Sequence, residues 1–211
     1  MILLLLTVSS AFADTKLWLG SGFEYEPTQT LNLEFNQHLR FDNSISEFDE
    51  TMPELELSYS PVSWASIGTG YRYIIKFNKE EDYDPAHRFH GQSTFKWTKN
   101  NFTASYRFRF LNTFEQDKTL KKSPQYRNRI NLKFESDRGL NPQLGIQPIT
   151  DFGERFEDST LRLSPALSYK ITKAHRLKLT LHRESRVFQW SELEDYMLSF
   201  AYKYKVPQKS Q

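Results

Sequence analysis

Apolar and polar residues alternate with a period of two along most of this chain. In Phe102-Thr103-Ala104-Ser105-Tyr106-Arg107-Phe108-Arg109-Phe110 the apolar and aromatic residues hold the even positions, and polar residues hold most of the odd ones. Successive side chains of a strand point to opposite faces, so this stretch makes one greasy face and one cationic face. The beat returns at 126–135, where Arg127, Arg129, Asn131, Lys133 and Glu135 oppose Tyr126, Asn128, Ile130, Leu132 and Phe134. No helical period persists for three turns, and no heptad, solenoid repeat or low-complexity linker stands out. The pattern predicts eleven strands, at 16–26, 29–41, 52–60, 63–76, 88–97, 102–111, 126–135, 143–150, 159–171, 174–187 and 196–205.

The connections carry the topology. Short ones fall at 27–28, 61–62, 98–101, 137–141 and 172–173, where Pro, Gly and Asn supply turn geometry. Long polar ones fall at 42–51, 77–87, 112–125, 151–158 and 188–195. Short and long alternate strictly. Outer-membrane barrels do this, with short turns at one end and longer loops at the other. The expected fold is therefore all-β: an antiparallel up-and-down transmembrane β-barrel of ten to twelve strands, its greasy face toward lipid. Eleven is an awkward number, because bacterial single-chain barrels use an even count. Either 16–26 lies outside the ladder, leaving ten strands, or one strand is hidden and there are twelve.

The N-terminus changes the expected compartment. Ile2 to Val8 is an apolar run, followed by Ser9, Ser10 and Ala11-Phe12-Ala13. The run is too short to span a bilayer. Its A-x-A ending reads as a signal peptide over 1–13, although no Lys or Arg precedes the run. The division expected is a signal peptide at 1–13, a barrel at 14–205 and a tail at 206–211. Lys+Arg 28 against Asp+Glu 26 gives a net charge of +2, which argues against a nucleic-acid partner. The mean hydropathy of −0.66 is that of a soluble protein. In a barrel that average misleads, because each lipid-facing residue is followed by a lumen-facing one. Aromatics at 15% suit strands and interfacial girdles, and Trp18, Trp64, Trp97, Tyr71, Tyr73, Tyr169, Tyr202 and Tyr204 are assigned to such a girdle. The absence of cysteine removes disulfides, thiolate metal sites and thiol catalysis.

Gly70-Tyr71-Arg72-Tyr73, Arg107-Phe108-Arg109, Arg127-Asn128-Arg129 and the strand at 161–169 resemble a bacterial family, the domain of unknown function numbered 2490. The resemblance covers nearly the whole mature chain and implies an outer-membrane β-barrel. It implies no activity. Phe200, Tyr202 and Tyr204 supply the alternating aromatics that barrel assembly machinery recognises in a last strand, with 206–211 as a departure from that pattern.

The candidate chemistry lies on the polar phase. Glu34, Glu54, Glu56, Arg72 and His90 are placed in the lumen, with Arg107, Arg109, Arg127 and Arg129. Glu135, Arg162, His182 and Glu184 join them, as do Lys96, Lys133 and Lys178. Narrow barrels fill their interiors with side chains, so both charge signs together predict a plug of mutually satisfied ion pairs. Glu24/Glu26 and Glu54/Glu56 are two apart and share faces, which suits acid–base work or an answer to the arginines. His87 and His90 are three apart and fall on opposite faces, so they cannot chelate one metal. His182 is placed near Glu184, and of the serines Ser105, Ser168 and Ser199 none is tied to it by spacing.

The expectation is a non-enzymatic outer-membrane barrel, acting as a narrow channel or in a structural or surface-binding role. Its partners are outer-membrane lipid and the barrel assembly machinery, with no cofactor. Two alternatives stand beside it: an outer-membrane lipid-modifying hydrolase, and a soluble secreted barrel holding a ligand.

Overall fold

The computed structural model describes residues 16–42, 47–77, 83–115, 124–187 and 195–207. The expected signal peptide, stretches of four long connections and the last residues of the tail lie outside this range. The strands are β1 (Lys16–Tyr25), β2 (Leu31–Asp42), β3 (Glu47–Val62), β4 (Ala65–Phe77), β5 (Tyr83–Lys99) and β6 (Phe102–Glu115), followed by β7 (Gln125–Phe134), β8 (Leu140–Asp151), β9 (Thr160–Lys170), β10 (His175–Arg186) and β11 (Asp195–Lys205). One 3-10 turn, Phe156–Asp158, interrupts the connection from β8 to β9. Each of the eleven strands read from the alternation is present. Several run further into the long connections than expected, β5 by five residues at its start.

Consecutive strands pair antiparallel, and the sheet closes on itself. The closure resolves the odd count in a way the even-number rule does not anticipate. β1 neither lies outside the ladder nor hides a twelfth partner. It pairs parallel with β11, from Lys16↔Met197 to Glu24↔Lys205. With an odd number of up-and-down strands, the first and last must run the same way, so the seam has to be parallel. Ion pairs reinforce it. Lys203 Nζ reaches Glu34 at 2.7 Å and Glu24 at 3.6 Å, and Lys205 Nζ reaches Glu26 at 2.6 Å.

Turn chemistry sits where the sequence placed it. The two-residue link between β5 and β6 holds Asn100 at φ 52°, a left-handed conformation that asparagine tolerates. Gly139, at φ 78°, makes the turn before β8.

The packing is inverted relative to a soluble domain. Among the described residues 33 large hydrophobic side chains are exposed, whereas only Met52, Ile74, Ala86, Leu111 and Met197 form a buried apolar set. On β6, Tyr106, Phe108 and Phe110 face out, while Arg107 and Arg109 face in. Polar side chains on the outer wall bond to neighbours there. Asn128 accepts from Tyr106 Oη at 2.7 Å, and Gln37 Nε2 donates to Thr51 Oγ1 at 2.7 Å. A soluble barrel with an apolar interior has the opposite orientation.

Rings cluster at both ends of the outer wall. Trp64, Phe95, Trp97 and Phe102 gather at the short-turn end, and Phe41, Phe48 and Phe77 near the other. Trp18 departs from the expected girdle. It shares its parity with Gly20 and points into the lumen, with the Arg40 guanidinium 4.0 Å from its ring centroid.

Candidate functional site

The site is the lumen itself. An eleven-strand barrel is wider than the eight-strand kind that side chains just fill, and far narrower than an open porin. Long charged side chains occupy it, and a cavity of about 370 Å³ remains among them.

The lumen side of β3 is acidic, and arginines answer it. Glu54, 4% exposed, accepts from Arg72 Nη2 at 2.7 Å and has His38 Nε2 at 3.5 Å and Arg109 Nη1 at 3.9 Å. Glu56 accepts from Arg109 Nη2 at 2.7 Å and lies 3.1 Å from His90 Nε2. Because Arg109 stands on β6, three strands from β3, these bonds cross the interior rather than follow the sheet. Gln92 Oε1 holds the same guanidinium at 2.6 and 2.9 Å. Nearer the long connections, Glu50 accepts from Arg40 at 2.7 Å and meets Lys76 at 3.1 Å. Trp18 lies between Arg40 and Arg162, a cation–π bridge from β2 to β9.

The opposite wall is cationic. Its register sets like charges side by side: Arg107 pairs with Arg129, and Arg109 with Arg127, across β6 and β7. Like charges directly opposite on two strands are destabilising. Of these four, Arg109 alone meets a carboxylate within 4 Å among the described residues; Arg127 bonds instead to the Gln125 amide at 2.8 Å. The lumen is thus paired on one side and in cationic excess on the other, which departs from a uniformly satisfied plug.

The residues singled out in the sequence fall as follows. Glu34, Glu54, Glu56, Arg72, Arg107, Arg109, Arg127, Arg129, Arg162 and His182 border the central cavity. His90 lies buried against Glu54 and Glu56. Glu184 is ion-paired with Arg162. Glu135 sits at the rim rather than deep in the lumen: it follows the end of β7, is nearly half exposed, and bonds to Lys133. That ammonium holds the Glu135 carboxyl below the usual carboxylate range.

Two side-chain groups bear on catalysis and metal binding. His182 is not oriented by Glu184. Its Nδ1 lies 2.9 Å from Ser164 Oγ, a lumen-phase serine that sequence reasoning overlooked. Parity alone would have found Ser164, two residues beyond Arg162 on the same face. The dyad is buried, and no carboxylate lies within 4 Å of His182 among the described residues. A third group to orient the imidazole is therefore missing there. Glu54, Glu56 and His90 bring one potential metal-ligating atom each within 4.8 Å of one another. Both carboxylates are already engaged by guanidinium groups at 2.7 Å, so the ion pairs account for the cluster. His87 faces outward, bonded to Tyr71 Oη at 2.8 Å, apart from His90.

A closed β-barrel with exposed apolar side chains outside and a charged lumen inside defines the class of this protein. The chain belongs to the family described as "Protein of unknown function (DUF2490)", which matches residues 15–186. The match takes in β1 to β10 and stops short of β11, the strand that closes the seam. No curated protein matches it.

Proposed function

We propose that this protein is a non-enzymatic integral barrel of the bacterial outer membrane whose lumen is blocked to bulk flow by charged side chains. The inverted wall carries the reading. A ring of exposed Phe, Leu, Ile, Tyr and Trp is costly in water and favourable in lipid. Strands of 10 to 17 residues meet the length a tilted span requires. Strand closure leaves no unpaired ladder edge within the hydrocarbon region. The rings at the two ends suit the headgroup levels.

Three features support a narrow or closed lumen. Arg109 ties β6 to β3 across the interior. Arg162 and Arg40 close on Trp18. Lys203 ties the seam to Glu34 on β2. The Arg109 and Arg162 contacts reach across three strands, over the space that ions would use. We read Ser164 and His182 as part of this packing, because lipid on the outer wall cannot reach a buried dyad on the inner one.

Purified protein in a planar bilayer should therefore show small or no conductance steps. A large, steady, ion-selective current would contradict the blocked lumen and make the protein a pore.

A further inference from the structure

The cationic wall has more charge than the protein answers. Eight guanidinium or ammonium groups border the central cavity, against three carboxylates. The carboxylates are already committed to Arg72, Arg109 and Lys203. Arg40 and Arg162 find further partners in Glu50 and Glu184. Arg107, Arg127, Arg129 and Lys178 remain, with no carboxylate within 4 Å among the described residues; Arg127 is bonded to the Gln125 amide oxygen at 2.8 Å, which leaves Arg107, Arg129 and Lys178.

These three line one cavity. Arg107 and Arg129 are direct cross-strand neighbours. Lys178 enters the cavity from β10. The Nε of Arg107 is buried and has no hydrogen-bond partner. Gly145 on β8 keeps the space open: a Cβ there would stand 2.7 Å from Arg129 Nη2. Any side chain at 145 would push the guanidinium away. The backbone thus makes room for an arginine that no protein group neutralises.

Three partly buried cations facing one cavity are expensive without a counter-charge. Across the lumen the protein supplies glutamates for the same purpose, so the lack of one here marks a place for an anion from outside. We infer that Arg107, Arg129 and Lys178 form a binding site for a phosphate group, free or as a small water-soluble monoester. The planar forks of two guanidinium groups match pairs of phosphate oxygens, and the ammonium adds a compact third charge. A volume of about 370 Å³ is room for about twelve waters at liquid density, ample for phosphate carrying a small polyol. The site needs only the closed barrel, and it holds whether or not the barrel lies in a membrane.

Calorimetric titration of the purified full-length protein with inorganic phosphate, against chloride at equal ionic strength, tests this. Saturable phosphate binding is expected, and glycerol 3-phosphate should compete for it. Phosphatidic acid in mixed micelles should not, because the cluster lies behind the wall. Arg129→Gln and Lys178→Gln should each weaken binding about tenfold, the loss of one charge-assisted contact. Arg129→Lys should fall between wild type and Arg129→Gln. If Arg129→Gln does not fold, Lys178→Gln carries the test, with folding checked by circular dichroism. No saturable phosphate binding would overturn the assignment. So would equal binding of chloride, competition by the lipid phosphate alone, or affinity unchanged in the folded variants.

Discussion

Replacing Glu54 by glutamine is expected to destabilise the barrel by about 3–5 kcal/mol, the usual cost of removing one partner from a buried ion pair. Glu54 is the most heavily engaged carboxylate in the lumen, with Arg72, Arg109, His38 and His90 all within 4 Å. Glutamine keeps the size and one acceptor oxygen but removes the charge. The interior already holds more cations than anions, so the loss leaves Arg72, whose cross-strand neighbour is Arg88, without its carboxylate. Glu157→Gln, on an exposed residue of the 3-10 turn, is the control and should change stability by less than about 0.5 kcal/mol. Reversible urea unfolding in detergent or vesicles measures both. A change below about 1 kcal/mol for Glu54→Gln would mean that the cross-lumen network contributes little to stability.

The second large effect belongs to the outer wall. Phe108→Arg should cost about 2–4 kcal/mol, the penalty for a cation on the lipid face near the bilayer midplane. Phe108 is exposed on β6 between Arg107 and Arg109, which both point inward. The substitution therefore places a third arginine in the run, on the opposite face. Phe108→Leu retains apolar surface and should be close to neutral. Comparison of folding yield and unfolding midpoint in vesicles reads the difference. Equal behaviour of the two variants would place position 108 in water.

Much of this architecture was legible because strand parity is a local property. Alternation over 102–110 and 126–135 is enough to say which side chains share a face, and turn residues such as Asn100 and Gly139 fix where the chain reverses. What escaped depends on partners distant in sequence. Seam direction is a relation between β1 and β11, so strand count read from rules about even barrels led to ten or twelve. Trp18 was assigned to the girdle by residue type, although its parity with Gly20 and Glu24 already placed it inside. Ser164 likewise shares the parity of Arg162. The imbalance between the two lumen walls was out of reach, because it depends on which strands face each other across the interior. Arg107 and Arg109 look equivalent in sequence; only the closed sheet brings Glu56 to one and leaves the other beside Arg129.

The central claim is that the greasy face meets lipid while the charged face lines the lumen, and its two sides differ at two tryptophans. Of the four tryptophans in the sequence, Trp97 lies on the outer wall, 56% exposed, and Trp18 lies inside between Arg40 and Arg162. Single-tryptophan proteins, with the other three replaced by phenylalanine, can be folded into vesicles of brominated phospholipid. Fluorescence of the Trp97-only protein should be strongly quenched, and that of the Trp18-only protein should match its value in unbrominated lipid. An unquenched Trp97, or equal quenching of both, would contradict the account.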